Sequence, residues 1–399
     1  MAVFERSHPP TPASVEGAGV LLGMIRRGRA RTVTQLADAM GVARSTILQR
    51  LDHLQRLDLV RSEMRTEGAR GRPAAVFGFV PRAGTVLAAH LGLTGVRVAA
   101  TDLDGEVLAS RFCAVDVAQG PDALLDLLHR TFDELTDEAA GGALVGVGVG
   151  TPSTFELKAY ARAHGLSAAG WDRDEFRDAL AARYHVPVLL DLDVAMLGLA
   201  EHRASWPDAE VLVCVKLGTL IDAAVVVRGV PVRGADRLAG ELGHIKVTDA
   251  DDPCVCGSAG CLDAVASGNA LVRQMAAAGR PVDHVSQVVQ LANDGDRDAV
   301  HLIRRSGRRI GEVLSSVVNL LNPTAISMWG YLTEAESLLA GIRESLYQTA
   351  LPGSSANLRL TTTALGELAG VRGAALAVID TVLEPGAVDR AILAGSWSA

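Results

Sequence analysis

The residues best suited to chemistry lie in the stretch GHIKVTDADDPCVCGSAGCLDAV, which spans 243–265. Three of the chain's five cysteines, Cys254, Cys256 and Cys261, fall within eight residues, and His244 lies ten positions before the first of them. Three thiolates and one imidazole complete a tetrahedral set for Zn²⁺ and leave no position for a catalytic water, so the pattern predicts a structural zinc site. The alternative is a cluster of reduced core thiols beside a histidine.

The composition is that of a globular protein. The 399 residues are 49% apolar and 21% charged, and a chain of this length suggests two or three domains. No uninterrupted apolar run approaches the ~18 residues that a membrane span needs. The first fourteen residues contain no apolar signal-peptide core. We therefore expect a cytoplasmic protein without a membrane partner.

The charges are distributed unevenly along the chain. Residues 1–80 carry twelve arginines against seven acids, whereas the remainder carries 26 basic and 39 acidic residues. A basic N-terminal segment on an acidic body favours a nucleic-acid-binding module attached to a unit that need not touch DNA.

The segment 33–60 has the pattern of a helix-turn-helix. One apolar stripe at helical spacing ends at Gly41, a second begins near Ile47, and an earlier stripe at 20–25 can pack across both. The residues that follow, up to position 80, read as two short strands around a basic, glycine-rich tip. The sequence therefore predicts a winged helix-turn-helix that binds double-stranded DNA.

In such a module the second helix enters the major groove with its N-terminal, solvent-facing residues, while the wing contacts phosphates or the minor groove. The alternative is a helical hairpin used only for dimerisation, with solvated arginines. The predicted DNA contacts are Arg44, Ser45, Thr46, Gln49 and Arg50 in the helix, and Arg70 and Arg72 at the wing tip.

The body has an α/β pattern that occurs twice. Three short strands, a helix, a strand of small residues and a further strand and helix follow one another after Thr85, and a similar order begins at Val211. Two such halves predict two lobes with a cleft between them. We divide the chain into a DNA-binding domain at 1–80, a first α/β lobe at 85–203, and a second lobe with the cysteine loop at 204–399.

Taken in order, these features resemble the ROK family of repressors, open reading frames and kinases, specifically its transcriptional-regulator branch. The resemblance covers residues 15–385, and its most specific motifs are GELGHIKV at 240–247 and CVCGSAGCLDAVASG at 254–268, supported by GELAGVRGAALA at 366–377. It implies a duplicated, actin-like fold of the sugar-kinase type, which is ribonuclease H-like. It also implies the same four zinc ligands and a homodimer or homotetramer.

The resemblance further implies a small-molecule effector, a sugar or a sugar derivative, held between the lobes. Leu192 stands where the family has an amide, and Asp263 stands where it has a longer glutamate, so recognition of a glucose-like sugar is not assured. The positions that match the family's sugar-binding groups are Asp193, Glu241, His244 and Asp263. Trp171 matches the tryptophan of a Gly-Trp pair in the family, whose indole would close one side of the pocket; the alternative is a plain core aromatic.

Three departures from the family's phosphate motifs oppose kinase activity. His90 stands in place of the acid that orients Mg²⁺, and Leu220 and Asp222 stand in place of glycines that face phosphate. Asp193 occupies the position of the catalytic base, but a base alone does not transfer a phosphoryl group. An imidazole at His90 and a carboxylate at Asp222 would also be a plausible polar binding pair.

The favoured hypothesis is a ligand-responsive transcriptional regulator without kinase activity. The resemblance implies that it is a repressor, since repression relieved by a sugar is usual in the family. Direct activation stays open. One alternative is an ATP-dependent sugar kinase that carries a DNA-binding domain. Another is a ligand-independent regulator whose body is a zinc-braced dimerisation platform.

Overall fold

A computed structural model describes residue 11 and residues 15–64, 75–93, 95–115, 120–153 and 172–395. The described residues of its N-terminal part include the helices α1 (Ala18–Arg26), α2 (Val33–Met40) and α3 (Arg44–Arg56). Strand β1 (Val60–Met64) then pairs antiparallel with β2 (Ala75–Phe79). Three helices followed by a two-stranded ribbon form a winged helix-turn-helix, as the sequence predicts.

Local signals fix the helix boundaries in this domain. Thr32 and Gln35 form a reciprocal capping box at the start of α2, and Gly41 ends that helix with a left-handed φ of 66°. Ala43 provides no side-chain cap for α3. The core is apolar, with Leu21, Leu36 and Ile47 fully buried.

The body contains two five-stranded sheets with the same topology. In each sheet the first three strands in chain order form an antiparallel meander, and the fourth and fifth strands run parallel to the first. The strand orders are β5-β4-β3-β6-β7 and β10-β9-β8-β11-β12. This repetition confirms the predicted two-lobed α/β fold. The strands are β3 Gly84–Leu91, β4 Gly95–Thr101, β5 Val107–Ala114, β6 Ala143–Thr151, β7 Val188–Leu192, β8 Val211–Leu217, β9 Ile221–Val227, β10 Val230–Pro231, β11 Ala325–Trp329 and β12 Arg359–Thr362.

Helices cover both sheets. In the first lobe, α4 packs on β4, and α6 contacts strands of both sheets and so joins the lobes. In the second lobe the longest helix, α10, pairs with α11. These helices are α4 Pro121–Ala139, α5 Arg173–Tyr184, α6 Asp193–Ser205, α7 Leu262–Ala266, α8 Gly268–Ala277, α9 Val285–Asn293, α10 Arg297–Leu321, α11 Glu336–Thr349 and α12 Pro352–Ser355.

The last two helices return to the first lobe and to the DNA-binding domain. Helix α13 (Ala369–Val382) packs on β3, β6 and α6, so closely that a Cβ at Gly373 would lie 1.8 Å from the carbonyl oxygen of Met196. Helix α14 (Pro385–Ala394) packs on α1. The packing therefore differs from the sequence-based division, which placed every residue after 204 in the second lobe.

One apolar core joins the winged helix, α13, α14 and the first sheet, and a separate core lies within the second lobe. Within the described part of the chain, no helix is both long enough and apolar enough to span a membrane.

Candidate metal centre, inter-lobe site and DNA-contacting surface

The structure brings the four predicted zinc ligands together. The ligand atoms of His244, Cys254, Cys256 and Cys261 all lie within 4.8 Å of one another. The sulfurs of Cys256 and Cys261 are 3.7 Å apart, and Sγ of Cys254 is 3.6 Å from Nδ1 of His244. Two sulfurs at about 2.3 Å from one tetrahedral ion would be about 3.8 Å apart. The group therefore fits a metal ion of zinc's size and preference.

The loop that carries the cysteines is built to turn tightly. The amide of Cys254 donates to the carbonyl of Ser258 at 2.7 Å, and Gly257 adopts a left-handed φ of 88°. Lys246 lies beside the cluster, with Nζ 3.2 Å from Sγ of Cys261. Three thiolates and a neutral imidazole around a divalent cation carry a net charge of −1, which this ammonium group offsets.

His244 faces two sites with its two ring nitrogens. Nδ1 points to Cys254, whereas Nε2 lies 3.6 Å from Oε2 of Glu241. Burial, and then the charge of Lys246, lower the pKa of His244, which favours the neutral ring that a metal ion requires. A metal on Nδ1 would leave the proton on Nε2, directed at Glu241. The same residue can therefore serve the metal centre and the inter-lobe site.

Asp193, at the first position of α6, lies at the centre of the contact between the lobes. Its side chain is fully buried, and Oδ2 pairs with Nζ of Lys216 from the second lobe and lies 3.4 Å from Nε2 of His90. Burial raises the pKa of Asp193, but the charge of Lys216 and the hydrogen bond from His90 outweigh burial and lower it to about 2. The carboxylate is thus ionised and held. Its other oxygen, Oδ1, is buried and has no hydrogen-bond partner within the described part of the chain.

Asp222 lies in a different position from the one the sequence suggests. Its carboxylate is buried and accepts a hydrogen bond from the hydroxyl of Ser153 in the first lobe, at 3.2 Å. Burial, and then the charge of Glu241, raise its pKa well above the usual value. Asp222, which stands in place of a glycine of the phosphate motif, therefore points into a buried contact between the lobes.

Asp263 and Leu192 are both buried, in different surroundings. Oδ1 of Asp263 accepts a hydrogen bond from the amide of Ile221 at 2.9 Å, and burial raises its pKa to about 6. Leu192 joins a small apolar cluster with Val194 and Leu212. The leucine therefore supplies packing at a position where the resemblance implies an amide.

A cavity of about 410 Å³ opens between the lobes next to Lys216 and His90, which contact Asp193. Lys216, His90, Leu220 and Trp329 are among the residues that line it. The indole of Trp329 meets the imidazole of His90 edge to face, with ring centroids 5.3 Å apart. Glu241, His244 and Asp263 are not among the residues that line this cavity.

Sequence reasoning missed a buried ion-pair cluster at the end of β7. Asp191 is buried and binds two guanidinium groups of the second lobe, with Nη2 of Arg233 at 2.6 Å and Nη2 of Arg237 also paired to it. Lys216 was missed as well, although a single lysine inside the apolar strand VLVCVKL is a signal that could have found it. No comparable local signal links Asp191 to arginines some forty residues away.

The structure describes five of the seven predicted DNA-contacting residues. Arg44, Ser45 and Gln49 are exposed on α3, and Thr46 is half-buried. Arg50 is only 9% exposed, because it shares the inward-facing stripe of α3 with Ile47, and its guanidinium group lies against Gly17. We therefore remove Arg50 from the set of DNA contacts. Arg70, Arg72 and Trp171 lie outside the described residues.

Two further exposed features of this domain were not singled out from the sequence. Arg27, Arg29 and Arg31 are exposed around the turn between α1 and α2, where they add positive charge. Leu48 is 53% exposed in the middle of the polar face of α3.

Comparison with known proteins assigns the family. The family model described as "ROK family" matches residues 86–381. The chain belongs to the ROK family. It is similar to the xylose repressor of Caldicellulosiruptor bescii, with 23% identity over 88% of this chain and 92% of the repressor.

Solved structures of ROK proteins share the fold. A ROK family transcriptional regulator, described as a homolog of the Escherichia coli MLC protein, covers 96% of this chain and 100% of its own, with a TM-score of 0.77 and 23% identity. A ROK family glucokinase from Streptomyces griseus, in complex with glucose and AMPPNP, covers 73% of this chain and 98% of its own, with a TM-score of 0.61 and 23% identity.

Proposed function

We propose that this ROK protein is a transcriptional repressor that binds operator DNA through its winged helix and responds to a sugar or sugar derivative bound between its lobes. The observation that carries the proposal is the physical connection between the two units: α13 and α14 join the inter-lobe region to α1 through one apolar core. Similarity to a xylose repressor over 88% of the chain supports it, since the S. griseus glucokinase covers only 73%.

The DNA-contacting surface is the exposed N-terminal half of α3. Arg44, Ser45, Thr46 and Gln49 supply donors and acceptors for base edges and phosphates. Arg70 and Arg72, which lie outside the described residues, are proposed as further contacts to phosphates or the minor groove. A homodimer would place two such helices on a palindromic operator, and a homotetramer would offer two such pairs.

The effector site is the polar group formed by Asp193, Glu241, His244 and Asp263, with Trp171 as a proposed wall. The buried Oδ1 of Asp193 supports this assignment, because it is an acceptor that has no donor among the residues that the structure describes. A sugar hydroxyl would supply that donor. Because Asp193 is fully buried, effector binding requires the lobes to separate, and such a movement would be passed to α13.

The protein is proposed not to be a kinase. Lys216 and His90 both hold the carboxylate of Asp193, which lowers its pKa to about 2 and makes it a poor base for a sugar hydroxyl. Leu220 lines the inter-lobe cavity at a position where close approach of phosphate requires glycine. The competing function, phosphorylation of a sugar by ATP, is tested by an ADP-release assay over a panel of hexoses.

The group of three cysteines and His244 is proposed to hold a structural Zn²⁺. The ion would supply no reaction step, since four protein ligands complete its coordination. It would fix the loop that presents Glu241 and Nε2 of His244 to the effector.

The proposal is tested by fluorescence anisotropy of the full-length protein on its own upstream DNA, titrated with sugars, sugar phosphates and ATP. We expect one sugar or derivative to change operator affinity by roughly five- to 150-fold, while ATP has no effect. Arg44→Ala should abolish specific binding, whereas Arg343→Ala, an exposed arginine of the second lobe, should not. Glu241→Gln should keep DNA binding and lose the response. Absence of sequence-specific binding would overturn the proposal.

A further inference from the structure

The recognition helix exposes one large apolar side chain among polar ones. Leu48 is 53% exposed, and Arg44 and Ser45 on the same face are also exposed, as is Gln49, which follows Leu48 in the chain. The opposite face of α3 carries Ile47 and its partners in the domain core. Leu48 belongs to none of the apolar clusters that form the cores of the described chain.

The position of Leu48 determines what it can meet. Residues three and four positions apart share a helix face, so Leu48 lies directly one turn after Arg44 and Ser45. The N-terminal turns of a recognition helix are the part that reaches base edges. The acid Asp52 lies one turn further along α3 and is paired with Arg56. Leu48 therefore occupies the part of the surface that would lie deepest in a major groove.

The major groove offers one apolar group on its base edges, the 5-methyl group of thymine. We propose that Leu48 is a specificity-determining residue that reads a thymine methyl group in each operator half-site. Gln49, beside it, presents an amide that suits the adenine N6 and N7 positions, so the two residues together favour an A·T-containing step. This inference rests on the proposed function, because it requires that α3 bind operator DNA.

Uracil substitution isolates the methyl group. The operator is first obtained by selection from random duplex DNA with the full-length protein. Each thymine is then replaced in turn by uracil, which keeps base pairing and removes only the methyl group. For the wild-type protein we expect one thymine per half-site whose replacement weakens binding about three- to tenfold, since buried methyl groups contribute on this scale.

The matched variant is Leu48→Ala, which is expected to fold because Leu48 is exposed and alanine is a good helix former. For this variant the same uracil substitution should change affinity less than about twofold. Leu320→Ala, which alters an exposed leucine of α10, should retain the full wild-type sensitivity.

The outcomes separate the two proposals. If no sequence is selected, the proposed DNA-binding function fails. If an operator is selected but no uracil substitution weakens wild-type binding, or Leu48→Ala shows the same loss as the wild type, the role of Leu48 is overturned while the proposed function stands. If Leu48→Ala loses the ability to dimerise and keeps the wild-type sensitivity to uracil, Leu48 contacts protein and not DNA.

Discussion

The carboxylate of Asp389 accepts hydrogen bonds from the backbone amide of Gly17 at 2.9 Å and from that of Gly19 at 2.8 Å. Asp389 lies on α14, so a residue near the C-terminus satisfies two amides at the start of the first helix of the DNA-binding domain. The two helices are in close contact, since a Cβ at Gly19 would lie 2.2 Å from the carbonyl oxygen of Pro385.

Further close contacts connect α14 and α13 to the inter-lobe site. Helix α13 precedes α14, and near its start a Cβ at Gly370 would lie 2.4 Å from the imidazole of His90. His90 in turn contacts Asp193. A contiguous series of packed groups therefore runs from the proposed effector site to α1, and a movement of the lobes has a route to the winged helix.

Removing the Asp389 carboxylate should weaken this connection. Asp389→Ala leaves two helix amides without acceptors, so we expect unfolding to require about 1.5–3 kcal/mol less, because hydrogen bonds to charged groups contribute on that scale. The effector-induced change in operator affinity should fall at least about threefold, while binding to operator without effector persists.

Urea unfolding and DNA anisotropy measure these two effects for Asp389→Ala. Asp137→Ala removes an exposed acid of the first lobe and serves as the control. An unchanged effector response in Asp389→Ala would show that coupling does not pass through α14.

The ion pair between Lys216 and Asp193 should make loss of either charge alone more destabilising than loss of both charges. Lys216→Met leaves a fully buried carboxylate without its cation, so we expect a destabilisation of about 3–5 kcal/mol. The double variant Lys216→Met with Asp193→Asn removes both charges and should recover most of that loss. Chemical denaturation of the two single variants and the double variant measures the coupling. Additive effects of the single variants would contradict a direct pair.

Asp222 makes folding stability depend on pH in a defined direction. Its folded-state pKa is raised well above the usual value of 3.8, so the folded protein holds this proton more tightly than the unfolded chain does. The resulting stabilisation is present at low pH and is lost as pH rises from about 3.8 through the folded-state pKa.

The variant Asp222→Asn lacks this titration, so its stability relative to the wild type should rise as pH increases. Urea unfolding of both proteins at pH 5 and at pH 8 measures the difference. An equal difference in unfolding free energy at the two pH values would show that Asp222 is ionised in the folded protein.

The sequence was sufficient where a feature depends on local spacing. The stripes on either side of Gly41 predicted two helices of the winged helix, and the types and spacing of His244, Cys254, Cys256 and Cys261 predicted a cluster that the structure assembles. Arg50 was misplaced even though it follows Ile47 by three positions. The positive charge of Arg50 suggests a contact with DNA, whereas its position on the helix places it on the inward-facing side with Ile47.

Features that depend on distant parts of the chain could not be read in this way. The pairing of Asp191 with Arg233 and Arg237 joins segments that lie about forty residues apart. The alternation of side chains along β9 does not reveal which face of the strand meets Ser153. The sequence therefore does not show that Asp222 is buried between the lobes. The position of α13 likewise depends on packing between distant segments. Its small residues, such as Gly373, allow close contact with the first lobe, and the sequence does not show which lobe they contact.

The proposed zinc centre yields the last prediction. Cys256→Ser removes one thiolate from a closed four-ligand set, so metal content should fall from one Zn²⁺ per chain to a small fraction, measured by elemental analysis after dialysis. Cys113→Ser alters a half-buried cysteine outside the cluster and should keep the full metal content. Because the metal would orient His244, and His244 faces Glu241 at 3.6 Å, loss of metal should also abolish the effector response while DNA binding by the winged helix remains. A full complement of metal in Cys256→Ser would remove Cys256 from the ligand set. If the metal is lost and the effector response is kept, the ion stabilises the fold but is not needed for the effector response.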